Sequence, residues 1–265
     1  MKTMKDFSPS ETYLNKCREL VNTVEAQSEN IRKAADWFAE SILQNRIVHL
    51  FGSGHSRIMV EEMWPRYGSF PGFNPIVELS MTFHNSVVGA NGQRQAMFIE
   101  NVSGLAERIL RNFDIKTGDS ALIISSGGSS RVAIEMAELF QKKQVKVVSI
   151  VSLSHAKTST SKREDGKKLM DFSDLVLDTG APSGDAMVKI PGLETPVSPG
   201  SSIGGILLIN SLKGEIALRL TENNTPPPVL TAPSVIGAEK SVEIFEKAYD
   251  EHARRISELY KNLGN

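Results

Sequence analysis

The chain has 265 residues, enough for one large core or two small ones, and its 40% hydrophobic and 23% charged residues are ordinary globular usage, which excludes a disordered or collagen-like chain. Its 30 Lys and Arg against 31 Asp and Glu give a formal net charge of −1, so no excess of positive potential exists to grip nucleic acid or an anionic membrane, and a small molecule is the expected partner. The longest apolar runs, such as Ala121 to Ile124 and Ile206 to Ile209, fall far short of the roughly 18 residues that span a bilayer.

From Pro9 to Asn45, apolar residues at Leu14, Leu20, Val21, Val24, Ile31, Ala35, Phe38 and Ile42 recur near the helical period, which predicts one long helix or two. Cys17, set among Leu14, Leu20 and Val21, reads as a buried packing position; as the lone cysteine it cannot form an internal disulfide. Met1 to Asp6 show no apolar signal core, and the expected location is the cytoplasm. Ile47 to Phe51 is short and β-branched and runs into Gly52-Ser53-Gly54, a strand ending in a tight loop. A helix is expected from Ser56 to Trp64, stopped by Pro65.

Asn74 to Glu78, Ala121 to Ser125, Val145 to Val151 and Leu175 to Leu177 read as further strands, and Phe98 to Phe113 and Ser129 to Lys142 as helices among them. Strands alternating with helices require crossover connections, hence a doubly wound, three-layer α/β sandwich on a mostly parallel sheet. Thr179 to Gly200, with Pro182, Pro191, Pro196 and Pro199, reads as an ordered loop or flap near the strand ends. Ser201 to Leu220 resumes as helix, Pro226 to Pro228 is a stiff spacer, and Ala238 to Leu259 is a charged amphipathic helix suited to packing on a neighbouring subunit. The whole is read as one domain: a helical segment over 1–45, a core over 46–222, and a spacer with C-terminal helix over 223–265.

The strongest local signal is Ser125-Ser126-Gly127-Gly128-Ser129-Ser130, placed between a buried strand and an amphipathic helix, where ligands of open parallel sheets bind. Glycines admit close backbone approach, hydroxyls donate, and the free N–H groups of the helix start attract an anion such as phosphate. The plainer alternative is a serine that caps the helix within a decorated turn. Arg131 either meets an anionic ligand or pairs with Glu135 one turn on. Gly52-Ser53-Gly54-His55-Ser56-Arg57 resembles the opening of a dinucleotide fingerprint but lacks its third glycine, which leaves NAD, with Glu78 as ribose acid, a weak alternative; no Walker lysine string occurs.

His49, His55, His84, His155 and His252 are scattered without metal-ligand spacing, so no metal and no cofactor are expected. His49 reads as a core residue, while His55 and, second, His155 lie on loops that can reach a ligand. Glu61 and Glu62 follow the first loop on a helix, where neighbours diverge by about 100° and only one can face a pocket. A carboxylate there is either a proton acceptor beside a sugar carbonyl or a solvated surface acid.

From about Ile47 to Leu220 these residues resemble the sugar isomerase (SIS) family. The segment Ser125-Ser126-Gly127-Gly128-Ser129 is similar to its Ser/Thr-Ser-Gly-x-Ser/Thr phosphate loop, and Gly52-Ser53-Gly54-His55-Ser56 to its first Gly-x-Gly-x-Ser loop. Glu61-Glu62-Met63-Trp64-Pro65-Arg66-Tyr67 resembles the Glu-Glu-Leu-x-x-Arg-Tyr segment of phosphoheptose isomerase, which carries a catalytic role onto Glu62; the glutamate of N-acetylmuramic acid 6-phosphate etherases falls near the same position. The zinc-binding and catalytic histidines of phosphoheptose isomerase have no counterpart in Ile58-Met59-Val60 or Ser201 to Leu220, so the reaction need not be the same.

The resemblance implies a flavodoxin-like SIS sandwich that binds a phosphorylated sugar through Ser53, Ser56, Ser125, Ser126, Gly127, Ser129 and Ser130, with Glu62 as base and His55 as ring-opening or proton-shuttling group. It also implies a homodimer or homotetramer with sites near the interfaces. An aldose–ketose isomerase working through an enediol is the leading expectation. An amino-sugar-phosphate lyase and a noncatalytic phosphosugar sensor are the alternatives.

Overall fold

The computed structural model describes residues 7–82 and 92–263; Met1 to Asp6 and His84 lie outside the described residues. Ser8 caps the first helix, accepting from the N–H of Glu11, and Pro9 supplies a fixed φ at its first position. The apolar series of the N-terminal segment forms two helices, α1 (Pro9–Glu25) and α2 (Ser28–Leu43). The break falls at Gln27, whose side-chain amide donates to the carbonyl of Asp178 at 2.8 Å and accepts from its N–H at 2.7 Å, taking the place of a neighbouring strand at a sheet edge.

The remaining elements are β1 (Val48–Gly52), α3 (Arg57–Met63), β2 (Phe73–Ile76), α4 (Leu79–Thr82), α5 (Gln93–Ile99), α6 (Leu105–Leu110), β3 (Ser120–Ile124), α7 (Arg131–Lys142), β4 (Lys146–Val151), α8 (Leu153–Thr158), β5 (Leu175–Asp178), β6 (Ala186–Val188), β7 (Val197–Pro199), α9 (Ser201–Glu222), α10 (Pro233–Ile236) and α11 (Ala238–Glu258). The first five strands form one parallel sheet in the order β2-β1-β3-β4-β5. The period-2 alternation of strands divides their side chains between two cores. Val48, Leu50, Leu122, Ile124, Val148 and Ile150 pack with Phe38 of α2 and Leu208 and Leu212 of α9. Phe51, Ala121, Ile123, Val147 and Val151 face the other way, onto Ala133, Met136 and Phe140 of α7. The result is the doubly wound α/β sandwich. Among the described residues no helix is long and apolar enough to cross a membrane.

Three local expectations change. The helix expected from Phe98 to Phe113 is two, because Gly104 at φ +77° starts α6 afresh and its N–H is held by Glu135 at 3.0 Å; Phe98 is 73% exposed. The proline-rich stretch after β5 contains the antiparallel hairpin β6–β7, with Ala186 opposite Pro199 and Val188 opposite Val197. Cys17 is only half-buried, and Leu14 and Val21 are 55% and 45% exposed, since α1 turns Leu20 and Val24 inward at helical i, i+4 spacing.

Strand order decides where a ligand can sit. The chain leaves β1 toward β2 and returns on the other side as β3, so this is the switch point at which adjacent loops part and leave a crevice. Gly52 lies beside Ile124 in the register, and the loops that follow them emerge side by side.

Candidate functional site

A cavity of about 560 Å³ opens at that switch point, walled by the loops after β1 and β3, the end of α5, the start of α8 and the start of α9. The first loop is pressed close: a Cβ on Gly52 would stand 2.6 Å from the carbonyl oxygen of Ser56, so only glycine lets the turn Gly54–Ser56 fold back over the strand.

The loop after β3 has an unusual hydrogen-bond pattern. Every carbonyl from Ser125 to Ser130 accepts from the protein: from Gly128 N–H, Ser152 N–H, Ser159 Oγ, Leu169 N–H, Lys162 N–H and Ile134 N–H in turn, at 2.8–3.2 Å. Gly128, at φ +59°, supplies the left-handed turn. Among the described residues, no protein acceptor takes the N–H groups of Ser126, Gly127, Ser129 and Ser130 or the hydroxyls of the four serines. Ser130 holds the N-cap position of α7, yet its side chain makes no capping bond, so the plain capping explanation fails here. With its acceptors turned away and, among the described residues, those donors left open at a helix N-terminus, the loop has the donor pattern that suits an anion.

His155 lies against this cradle. Its Nδ1 accepts from the N–H of Gly184 at 3.0 Å, so the neutral ring carries its proton on Nε2. A Cβ on Gly127 would stand 3.0 and 3.2 Å from Cδ2 and Nε2 of that ring, which places the Nε2 edge over the loop.

The SIS domain matches residues 12–152, from α1 to the residue after β4. The chain belongs to the SIS domain family. A UPF0309 protein of Listeria innocua is 30% identical over 246 residues, covering 93% of this chain and 96% of its own. A UPF0309 protein of Geobacillus kaustophilus is 30% identical over 250 residues, covering 94% and 93%. Among solved structures, phosphoheptose isomerase from Neisseria gonorrhoeae aligns at TM-score 0.47 and 15% identity over 78% of this chain and 95% of its own. The sugar isomerase domain of the RpiR transcription factor from Sphaerobacter thermophilus aligns at 0.48 and 15% over 91% and 98%.

In this SIS chain the cavity collects Ser53, His55 and Ser56 from the first loop and Ser125, Ser126, Gly127, Ser129 and Ser130 from the second. Ser53 differs in role from the expectation: its hydroxyl donates to Oε2 of Glu100 at 2.7 Å, so its single proton is spent and it presents lone pairs to a ligand. It can accept from a sugar hydroxyl; it cannot also donate to a phosphate.

Glu62 lies elsewhere, and this corrects its expected place beside the phosphate loop. Met59, Val60 and Met63 hold α3 on the core, which turns Glu62 toward α9 and a second cleft of about 550 Å³ beside Ile58, Tyr67, Phe245 and Tyr249. There Arg66 donates to one carboxylate oxygen and Asn210 to the other at 2.9 Å, with Lys213 Nζ at 3.9 Å. Burial pushes the Glu62 carboxyl up, but the bonds from Asn210 and Arg66 and the charge of Lys213 outweigh it and hold it below the usual range. Glu61 pairs with Arg57 at 3.7 Å, so neither acid of the pair faces the first cavity.

Arg131 takes the pairing alternative, bonding Glu164 at 2.6 Å and the carbonyl of Lys162 at 2.7 Å, with Glu135 at 3.9 Å. His49 is a buried core residue between Asn74 at 3.0 Å and Asp119 at 3.3 Å.

Sequence reasoning missed Glu100, Lys162 and Asp185, which also line the cavity. Asp185 caps α9: Oδ1 accepts from the N–H groups of Gly200 and Ser201 at 3.0 and 2.7 Å, and Oδ2 from the Ser201 hydroxyl at 2.8 Å. Asp185 has φ +70°, which Asp tolerates better than most residues, but the helix start it caps lies 15 residues further on, across the β6–β7 hairpin, so no local signal marks it. Glu100 has none either, because its partner Ser53 is 47 residues away.

Proposed function

We propose that this SIS chain binds a phosphorylated sugar in the cavity above β1 and β3 and interconverts its aldose and ketose forms through an enediol. One observation carries the reading: the loop Ser125 to Ser130 ties back every carbonyl and, among the described residues, leaves the N–H groups of Ser126, Gly127, Ser129 and Ser130 and its four hydroxyls open at the start of α7. An anion is the ligand for which such a loop is complementary. Ser126, Gly127 and Ser129 hold the phosphate, Ser56 and Ser125 support it, and the Nε2–H of His155 adds a donor at the cavity wall. The sugar carbons then extend toward Ser53 and Glu100, where acceptors replace donors.

A second reading, a noncatalytic phosphosugar sensor, is favoured by one specific feature: Glu62, the base implied by resemblance, is clamped by Arg66 and Asn210 in another cleft. Calorimetry with phosphorylated and unphosphorylated forms of the same sugars, with NMR of the products, separates the two. Phosphate-dependent binding with turnover supports the isomerase, and binding without turnover supports the sensor. Affinity that ignores the phosphate would sink both. Self-association is part of the proposal, supported by exposed Leu14 and Val21 on α1 and Val242 on α11; light scattering that reads the 29.0 kDa of one chain would remove it.

A further inference from the structure

We infer that Glu100 is the proton acceptor of this cavity, an assignment that rests on the isomerase reading above. Two bonds fix the residue between the loops that hold the ligand. Its backbone carbonyl accepts from the N–H of Val132, in the first turn of α7, at 3.0 Å, and its Oε2 accepts from Ser53, in the loop after β1, at 2.7 Å. Among the described residues nothing bonds its Oε1, and the side chain lines the cavity.

The other groups suited to the task are engaged, lie elsewhere or are more exposed. Both carboxylate oxygens of Asp185 cap α9. Neutral His155 holds its proton on Nε2 and is a donor there, because Nδ1 is taken by Gly184. Glu62 belongs to the second cleft. His55 is exposed, whereas Glu100 is half-buried. Burial pushes the Glu100 carboxyl above the usual carboxylate range, and the Ser53 bond pulls it only partly back. A base whose affinity for a proton is raised toward the operating pH is a stronger proton acceptor.

The step balances without a further reactant. Glu100 takes the proton from the carbon beside the sugar carbonyl; the C–H electron pair becomes the C=C bond and the carbonyl π pair moves to its oxygen, which takes the proton of the neighbouring hydroxyl. Glu100 then returns its proton to the former carbonyl carbon while the second oxygen forms the new carbonyl. Ser53, its own proton given to Glu100, accepts from a sugar hydroxyl and sets the reacting carbon against Oε1.

The test uses the full-length chain with fructose 6-phosphate, ribulose 5-phosphate and sedoheptulose 7-phosphate in deuterated water, following exchange at the carbon beside the carbonyl by NMR. At least one probe should exchange with the wild type. Glu100→Gln should lower kcat by about 10²- to 10⁴-fold with KM and melting temperature kept, since Gln retains the Ser53 bond. Glu100→Asp, which keeps a shorter carboxylate, should retain part of the rate and carries the test if the Gln variant does not fold. Undiminished exchange in Glu100→Gln overturns the assignment and leaves the isomerase reading standing; if Glu62→Gln alone abolishes exchange, the role returns to Glu62. Probes that bind the wild type by calorimetry but never exchange overturn the isomerase reading, and the assignment with it.

Discussion

The backbone N–H of Gly184 donates to Nδ1 of His155 at 3.0 Å, and this bond decides which edge of the imidazole bears the proton. Gly184 belongs to the turn before β6, so the hairpin that follows the sheet sets the chemistry of a side chain on α8. The protonated edge meets Gly127, where no Cβ intervenes.

Gly127→Ala should therefore weaken a sugar phosphate without unfolding the chain, because the new methyl would press on Cδ2 and Nε2 of His155 at 3.0 and 3.2 Å. His155→Ala alone should cost about 1 to 3 kcal/mol of binding, the worth of a hydrogen bond to a charged group. In that background Gly127→Ala should cost less. A double-mutant cycle by calorimetry checks the coupling, and additive losses would show that the ring and the loop act independently.

Ser126→Ala and Ser129→Ala should each weaken the phosphorylated sugar by about 1 to 3 kcal/mol and leave the unphosphorylated sugar almost unchanged. Titration of each variant with both forms measures this directly. Equal losses for the two forms would place the phosphate elsewhere.

Glu62→Gln should destabilise the fold at neutral pH by about 1 to 3 kcal/mol, since it removes the charge that Arg66, Asn210 and buried Lys213 share. The folded state holds this carboxyl below its ordinary value of 4.5, so the contribution is complete above that pH and fades as pH falls through the lower folded value. Denaturant melts of wild type and variant should differ most near neutrality and converge on acidification below about pH 4.5. A gap independent of pH would mean that the clamp acts by shape alone.

Two glycines of α9 should respond in opposite senses. A Cβ on Gly204 would lie 2.0 Å from the carbonyl oxygen of Thr179, where β5 runs into the cavity wall, so Gly204→Ala must push the helix off the sheet end and lower both stability and ligand affinity. Gly214, on the exposed side of the same helix, has nothing within 4 Å, and Gly214→Ala should stabilise the chain by about 0.5 to 1 kcal/mol through backbone entropy. Thermal melts of the two variants compare them in one experiment.

What the sequence determined by itself is whatever depends on near neighbours along the chain. The β-branched runs around Leu50, Leu122 and Val148, with helical periodicity between them, were sufficient for a parallel sandwich, because each signal needs only a few consecutive residues and a crossover forces the strands parallel. The Ser125 to Ser130 loop was legible for the same reason: its glycines, its hydroxyls and the helix it starts are contiguous. The direction Glu62 faces was not, because a helix turns about 100° per residue and only packing against α9 and β1 selects the face. Nor was Glu100, since the chain must fold β1 beside β3 before Ser53 can reach a carboxylate 47 residues away. The proton on His155 likewise depends on Gly184, 29 residues on, because a tautomer is chosen by whichever group the folded chain brings to the other nitrogen.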